Sequence, residues 1–163
     1  MAVMNLETNF SDFLQTVPAL AEFKPEELTI LEQAMVVERF PDGHEFISED
    51  KRNENMYLII QGEVIATHKR AKRRGKDIIE RLGPGDLFGL VALIDHRPAW
   101  ATYRAVGEVT AAFLPVNAFA LLFTAEAPLA QHFQNLIAVQ LVRDLRACAH
   151  ALTAAASAHR KPR

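Results

Sequence analysis

Cysteine is nearly absent from this chain: Cys148 stands alone among 163 residues. A single thiol excludes a disulfide framework, and it excludes cysteine-held zinc or iron–sulfur clusters within one chain. Positive charge is not in excess either. The 18 lysines and arginines face 20 aspartates and glutamates, a formal net charge of −2, so no bulk affinity for nucleic acid is expected. No run approaches the ~18 uninterrupted apolar residues that a membrane-spanning helix requires. Met1 to Phe10 lacks the basic flank and apolar core of a secretory signal, and the expected setting is cytoplasmic. The histidines, His44, His68, His96, His132, His150 and His159, show no close pairing on one helix, so no metal site is expected. His96 and His132 are the two that a haem sensor could use, and both read more simply as surface residues. No serine or cysteine has a neighbouring base at a recognisable spacing, which leaves catalysis without a candidate and points away from an enzyme.

What is present has a clear order. The length suits one domain that buries roughly two-thirds of its unfolded surface. Ser11 to Met35 reads as helix in two pieces: Phe13, Leu14, Val17 and Leu20 form one apolar face, and Pro25-Glu26-Glu27 opens a second helix carrying Leu28, Leu31 and Met35. From Val36 to Pro115 the period drops to about two, with turn signals at short intervals. The expected strands are Val36–Phe40, Glu45–Ile47, Met56–Ile60, Glu63–Thr67, Ile78–Leu82, Trp100–Ala105 and Thr110–Leu114, with a polar loop over Ser48–Asn55. Short strands without long helices between them predict an antiparallel β-barrel or sandwich flanked by helices.

After Pro115 the helical period returns, with a short piece over Val116–Phe123 and a long helix from Pro128 to about Ala156. Leu129, Phe133, Ile137, Leu141, Leu145, Cys148 and Leu152 recur along it as one apolar stripe. The stripe could dock on its own barrel or on a second copy. A helix of this length projects beyond a small barrel, which favours a homodimer. Residues 157–163 read as a basic tail, and no second helical pair follows that could serve as a helix-turn-helix. The run from His68 to Lys76, with the cations Lys69, Arg70, Lys72, Arg73 and Arg74, sits between two strands as a hairpin tip. It could contact an anion, but the overall acidic balance favours a solvated loop.

Chemistry concentrates in Gly83-Pro84-Gly85-Asp86-Leu87-Phe88-Gly89, a tight turn, followed by one or two helical turns over Leu90–Ile94 and the stop Asp95-His96-Arg97-Pro98. A glycine-bearing turn entering a helix offers unpaired amides to an anion. Pro84-Gly85-Asp86-Leu87-Phe88-Gly89, with Ala92-Leu93, Pro98, Ala101-Thr102 and Arg104-Ala105, resembles the cyclic nucleotide-binding domains of catabolite activator protein and of protein kinase A regulatory subunits. Met56-Tyr57-Leu58-Ile59-Ile60-Gln61-Gly62-Glu63-Val64 is similar to that family's third and fourth strands, where the glycine marks the hairpin. The resemblance covers nearly the whole chain, 11–156 as one domain (helices 11–35, barrel 36–115, helices 116–156). It implies a jelly-roll barrel, a phosphate-binding cassette and a terminal helix that lids the pocket and pairs with its copy through Phe133, Ile137, Leu141, Leu145 and Cys148.

The chain departs from the family where the ligand would be gripped. The family reads Phe-Gly-Glu at the helix start and Arg followed by Ala or Ser before the last strand. Here Leu90 stands for the glutamate, Ala99 for the arginine and Trp100 for the small residue. A phosphodiester monoanion is held best by a guanidinium, and a ribose hydroxyl needs a buried acceptor. Losing two charged hydrogen bonds at about 1.5–3 kcal/mol each removes about 3–6 kcal/mol, roughly a hundred- to ten-thousand-fold in affinity. The expected pocket therefore comprises Phe88, Gly89, Leu90, Val91, Ala92, Arg97, Ala99, Trp100, Ala101 and Thr102, made apolar by Leu90, Ala99 and Trp100. The main expectation is a stand-alone regulatory module with no cofactor and a weak or absent cyclic-nucleotide site, signalling to a separate effector protein. The alternatives are a sensor of a more apolar small molecule, and a cyclic-nucleotide site with its anion shifted toward Arg97.

Overall fold

Pro25 and Glu27 show how directly the local sequence writes the structure. Proline fits the first helical turn because its missing N–H is not needed there, and the Glu27 carboxylate reaches back to accept the Lys24 backbone N–H at 2.7 Å. The computed structural model describes residues 6–69, 75–125 and 127–158. Helix α1 (Leu6–Thr16), a 3-10 turn at Pro18–Leu20 and α2 (Pro25–Ala34) precede the strands. These are β1 (Val36–Phe40), β2 (Glu45–Ile47), β3 (Asn55–Lys69), β4 (Lys76–Leu82), β5 (Leu87–Phe88) and β6 (Thr102–Pro115). Helix α3 (Leu90–Asp95) interrupts them, and α4 (Val116–Ala125) and α5 (Ala127–Ala158) follow. Arg70, Ala71, Lys72, Arg73 and Arg74 of the basic run, and residues 159–163 of the basic tail, lie outside the described residues.

The barrel expectation is corrected by the strand order. The sheet is antiparallel and open, running β1-β6-β3-β4, with β2 paired to β6 and β5 to β3. Strands β3 and β6 form the spine, paired from Asn55↔Pro115 to Thr67↔Thr102. Closure would need the β1/β2 edge to pair with the β4/β5 edge. The flanking strands β2 and β5 are only three and two residues long, and each ends against the spine.

A second correction concerns Gly62. It does not turn a hairpin: β3 runs through it as one strand, with register shifts against β6 between Ile59 and Gln61 and between Gln61 and Glu63. The shift changes which residues face inward. Tyr57 and Ile59 before Gly62, and Val64 and Ala66 after it, all belong to one buried cluster, so an odd-numbered face becomes an even-numbered one across the bulge. Glycine is required there, because a Cβ on Gly62 would sit 2.6 Å from the Glu108 carbonyl oxygen and φ is +98°. Of the expected strand Trp100–Ala105, residues 102–105 likewise merge with Thr110–Leu114 into the single strand β6, and Trp100 and Ala101 lie just before it.

Two cores result. One packs the helices on the outer face of the sheet and includes Leu14, Leu31, Met56, Leu58, Leu114, Leu129 and Phe133. The other packs on the opposite face of the sheet, with Phe46, Tyr57, Phe88, Tyr103 and small residues such as Ala101 and Ala111. Helix α5 joins the first core through its N-terminal part alone. Phe133 is fully buried and Leu136 nearly so, whereas Leu141, Leu145 and Leu152 are 47%, 71% and 72% exposed. No helix among the described residues is long and apolar enough to cross a membrane.

Candidate ligand cassette

The turn before the cassette is pinned at both ends. Asp86 accepts the Gly83 N–H through its carboxylate at 2.8 Å, and the Asp86 N–H donates to the Gly83 carbonyl at 3.0 Å. Ile59 of β3 holds the turn from the other side, accepting from the Gly85 N–H and donating to the Asp86 carbonyl. Gly89 then enters α3 at φ +84°. A Cβ there would lie 2.7 Å from the Asn53 amide nitrogen and 2.7 Å from the Asn55 carbonyl. Asn53 donates to the Gly89 and Asn55 carbonyls, so the glycine is clamped onto β3. His96 ends α3 in the left-handed region, at φ 54°.

The cassette residues divide between the two cores. Leu90, 1% exposed, packs with Leu87 and Leu93 among the helices. Phe88, Ala99 and Ala101 belong to the sheet core, with half-buried Trp100 against it. Val91 and Ala92 continue α3, and Arg97 is exposed on the turn, its backbone N–H bonded to the Asp95 carboxylate at 2.9 Å. Leu90, Ala99 and Trp100 therefore do not line one common cavity.

Aromatic rings occupy the second core. Phe88 stacks between Tyr57 and Tyr103, with centroids 5.0 Å away on each side, and Phe46 packs edge-on at 5.5 Å. Burial raises the hydroxyl pKa of Tyr57 and, more strongly, of Tyr103, so both stay neutral. The far arm of the cassette is zipped to the loop after β2. Ala99 donates to the Lys51 carbonyl and accepts from the Asp50 N–H, both at 2.8 Å. The hydroxyl of Thr102, one of the expected pocket residues, accepts the Glu49 N–H at 3.0 Å. Glu49 is itself buried; one carboxylate oxygen accepts the Lys69 N–H and the other lies 3.0 Å from His68 Nδ1. His68 Nδ1 is also 2.7 Å from the Trp100 carbonyl.

Neither Glu49 nor Arg143 carries a local signal, because their partners lie far along the chain. Arg143 of α5 places Nε 3.0 Å from the Glu80 carboxylate on β4 and Nη1 3.9 Å from Asp86, while Nη2 donates to the Leu87 carbonyl. Burial raises the carboxyl pKa of Glu80 and of neighbouring Asp144, Arg143 opposing it in both and Gln140 also opposing it at Asp144. At the other end of the contact, His132 Nδ1 lies 2.9 Å from Glu27 Oε2. Helix α5 is thus tied to the cassette turn, to β4 and to α2. Among the described residues, no group of three or more His, Cys, Asp or Glu is placed to hold a metal.

Residues 37–126 match the family model for the cyclic nucleotide-binding domain. The chain belongs to this family. It is 30% identical over 118 residues to a cAMP-dependent protein kinase regulatory subunit of Debaryomyces hansenii, a match that covers 72% of this chain and 25% of that one. The domain thus spans about a quarter of that relative. Among solved structures, the catabolite activator protein of Thermus thermophilus superposes with a TM-score of 0.70 at 23% identity, covering 85% of this chain and 63% of that one. A guanosine-bound regulatory subunit of a cAMP-independent protein kinase A from Trypanosoma cruzi gives 0.64 at 22% identity, covering 82% and 50%. At such identities these two likenesses concern the fold. Leu90 and Ala99, which the sequence places at the ends of the cassette, sit in packed cores.

Proposed function

We propose that this domain is a regulatory module that has given up tight binding of 3′,5′-cyclic nucleotides and works without catalysis, as a cytoplasmic homodimer signalling to a separate effector. One observation carries the reading. The Tyr57–Phe88–Tyr103 stack fills the core beside the cassette's far arm, and the groups on that arm are already spent on protein partners: Ala99 on Lys51 and Asp50, Thr102 on Glu49. A stacked core is stable without a ligand, and a ligand would have to displace it. The dimer is supported by the α5 stripe, which leaves its own core after Ile137 and exposes Leu141 and Leu145 beside half-buried Cys148.

Titration calorimetry with cAMP, cGMP and guanosine tests the reading. No heat of binding is expected from either cyclic nucleotide at concentrations of tens of micromolar. Micromolar affinity for cAMP or cGMP would overturn it, and loss of that affinity in Arg97→Ala would assign the anion to a shifted site. Binding of guanosine alone would favour the second reading, a sensor of a more apolar small molecule, because guanosine lacks the anion that Ala99 has no charge to hold.

A further inference from the structure

We propose that the trough between the Pro18–Phe23 segment, the cassette turn and α5 docks a basic amphipathic helix from a partner protein. The trough encloses about 810 Å³, and it lies on the helical side of the molecule, away from the aromatic stack. Its floor is apolar, built by Phe23, Leu87, Leu90 and Leu136, all of them buried. Its lip is open: Val139, on the rim, is 63% exposed. Small-molecule sites bury most of their ligand's surface, so an open trough fits a longer occupant better. The stretch of α5 along it runs from His132 to Arg143, about 16 Å at 1.5 Å per residue, room for about three turns of a second helix.

Charge selects the kind of helix. Two potential cations line the trough, and each faces a carboxylate of this chain: His132 meets Glu27, and Arg143 meets Glu80. Glu22 is exposed on one bank, and on the other the Asp86 side chain is 45% exposed, its nearest cation contact a long 3.9 Å to Arg143. The unneutralised rim is therefore acidic around an apolar floor. That combination suits a helix with leucine-type residues at i, i+3, i+4 and i+7 and lysine or arginine on the flanks.

The test uses the full chain and a fluorescein-labelled model helix of leucine and lysine, about fourteen residues long, followed by anisotropy. A leucine–glutamate helix of the same pattern is the control. The lysine helix is expected to bind at least about tenfold more tightly than the glutamate helix. Glu22→Lys and Val139→Glu, both at exposed positions, are each expected to weaken it about tenfold with thermal unfolding unchanged. Leu121→Glu, on α4, 69% exposed and outside the trough, is expected to leave it unaltered. Equal binding of the two helices, no binding of either, or sensitivity to Leu121→Glu rather than Val139→Glu would overturn the proposal. None of these outcomes depends on the cyclic-nucleotide titration.

Discussion

Replacing Arg143 by methionine tests how α5 is held to the rest of the domain. Methionine keeps much of the aliphatic stem that packs beneath the guanidinium, so the change is mainly electrostatic. It strands the Glu80 carboxylate, 3.0 Å from Nε and 16% exposed, and removes the donor to the Leu87 carbonyl. Breaking a fully buried pair costs about 3–5 kcal/mol, and breaking an exposed one less than about 1. This pair is mostly but not wholly buried, so a loss of about 2 kcal/mol is expected. For a chain of this size that lowers Tm by about 4–8 °C. The pH dependence follows from the raised Glu80 carboxyl. A carboxyl whose folded pKa is raised contributes stability at low pH and loses it as pH rises through that value. Without the guanidinium the folded value climbs further. The deficit of Arg143→Met should therefore be largest at neutral pH and smaller at an acidic pH where Glu80 takes up its proton. Adding Glu80→Gln removes the stranded charge and should restore most of the lost stability. Urea unfolding followed by circular dichroism at both pH values measures this. A deficit that is the same at both, or that Glu80→Gln leaves untouched, would refute the electrostatic account.

Gly89→Ala should destabilise by at least about 2 kcal/mol, combining a left-handed backbone with a Cβ 2.7 Å from the Asn55 carbonyl. Gly107→Ala, at φ +71° with open space around it, should cost only about 1 kcal/mol, and similar urea midpoints for the two would discount the clamp. Leu145→Glu should convert a dimer to a monomer in analytical ultracentrifugation without lowering the monomer's helicity; a dimer that survives it would move the interface elsewhere.

Much of the architecture was readable because it rests on local rules. Pro25 with Glu26 and Glu27 started α2 at the expected residue, the apolar stripe from Leu129 outlined α5, and the Gly-Pro-Gly-Asp turn marked the cassette frame. Gly62 misled for an equally local reason. Gln61-Gly62 between two apolar runs has the signature of a hairpin, and the same residues make a bulge when a long partner strand is available on one side. Only β6, some fifty residues later in the chain, decides between them.

The order of elements, the period of each and the uncharged residues at 90 and 99 are properties of neighbouring residues, and the amino-acid sequence determined them alone. Which core each cassette residue enters, that Phe88 lies between two tyrosines, that Thr102 is spent on Glu49 and that Arg143 answers Glu80 depended on the tertiary structure. The reason is physical. Burial and ion pairing are set by groups brought together across the fold, and a pattern of adjacent residues carries no record of what the chain will later place beside them.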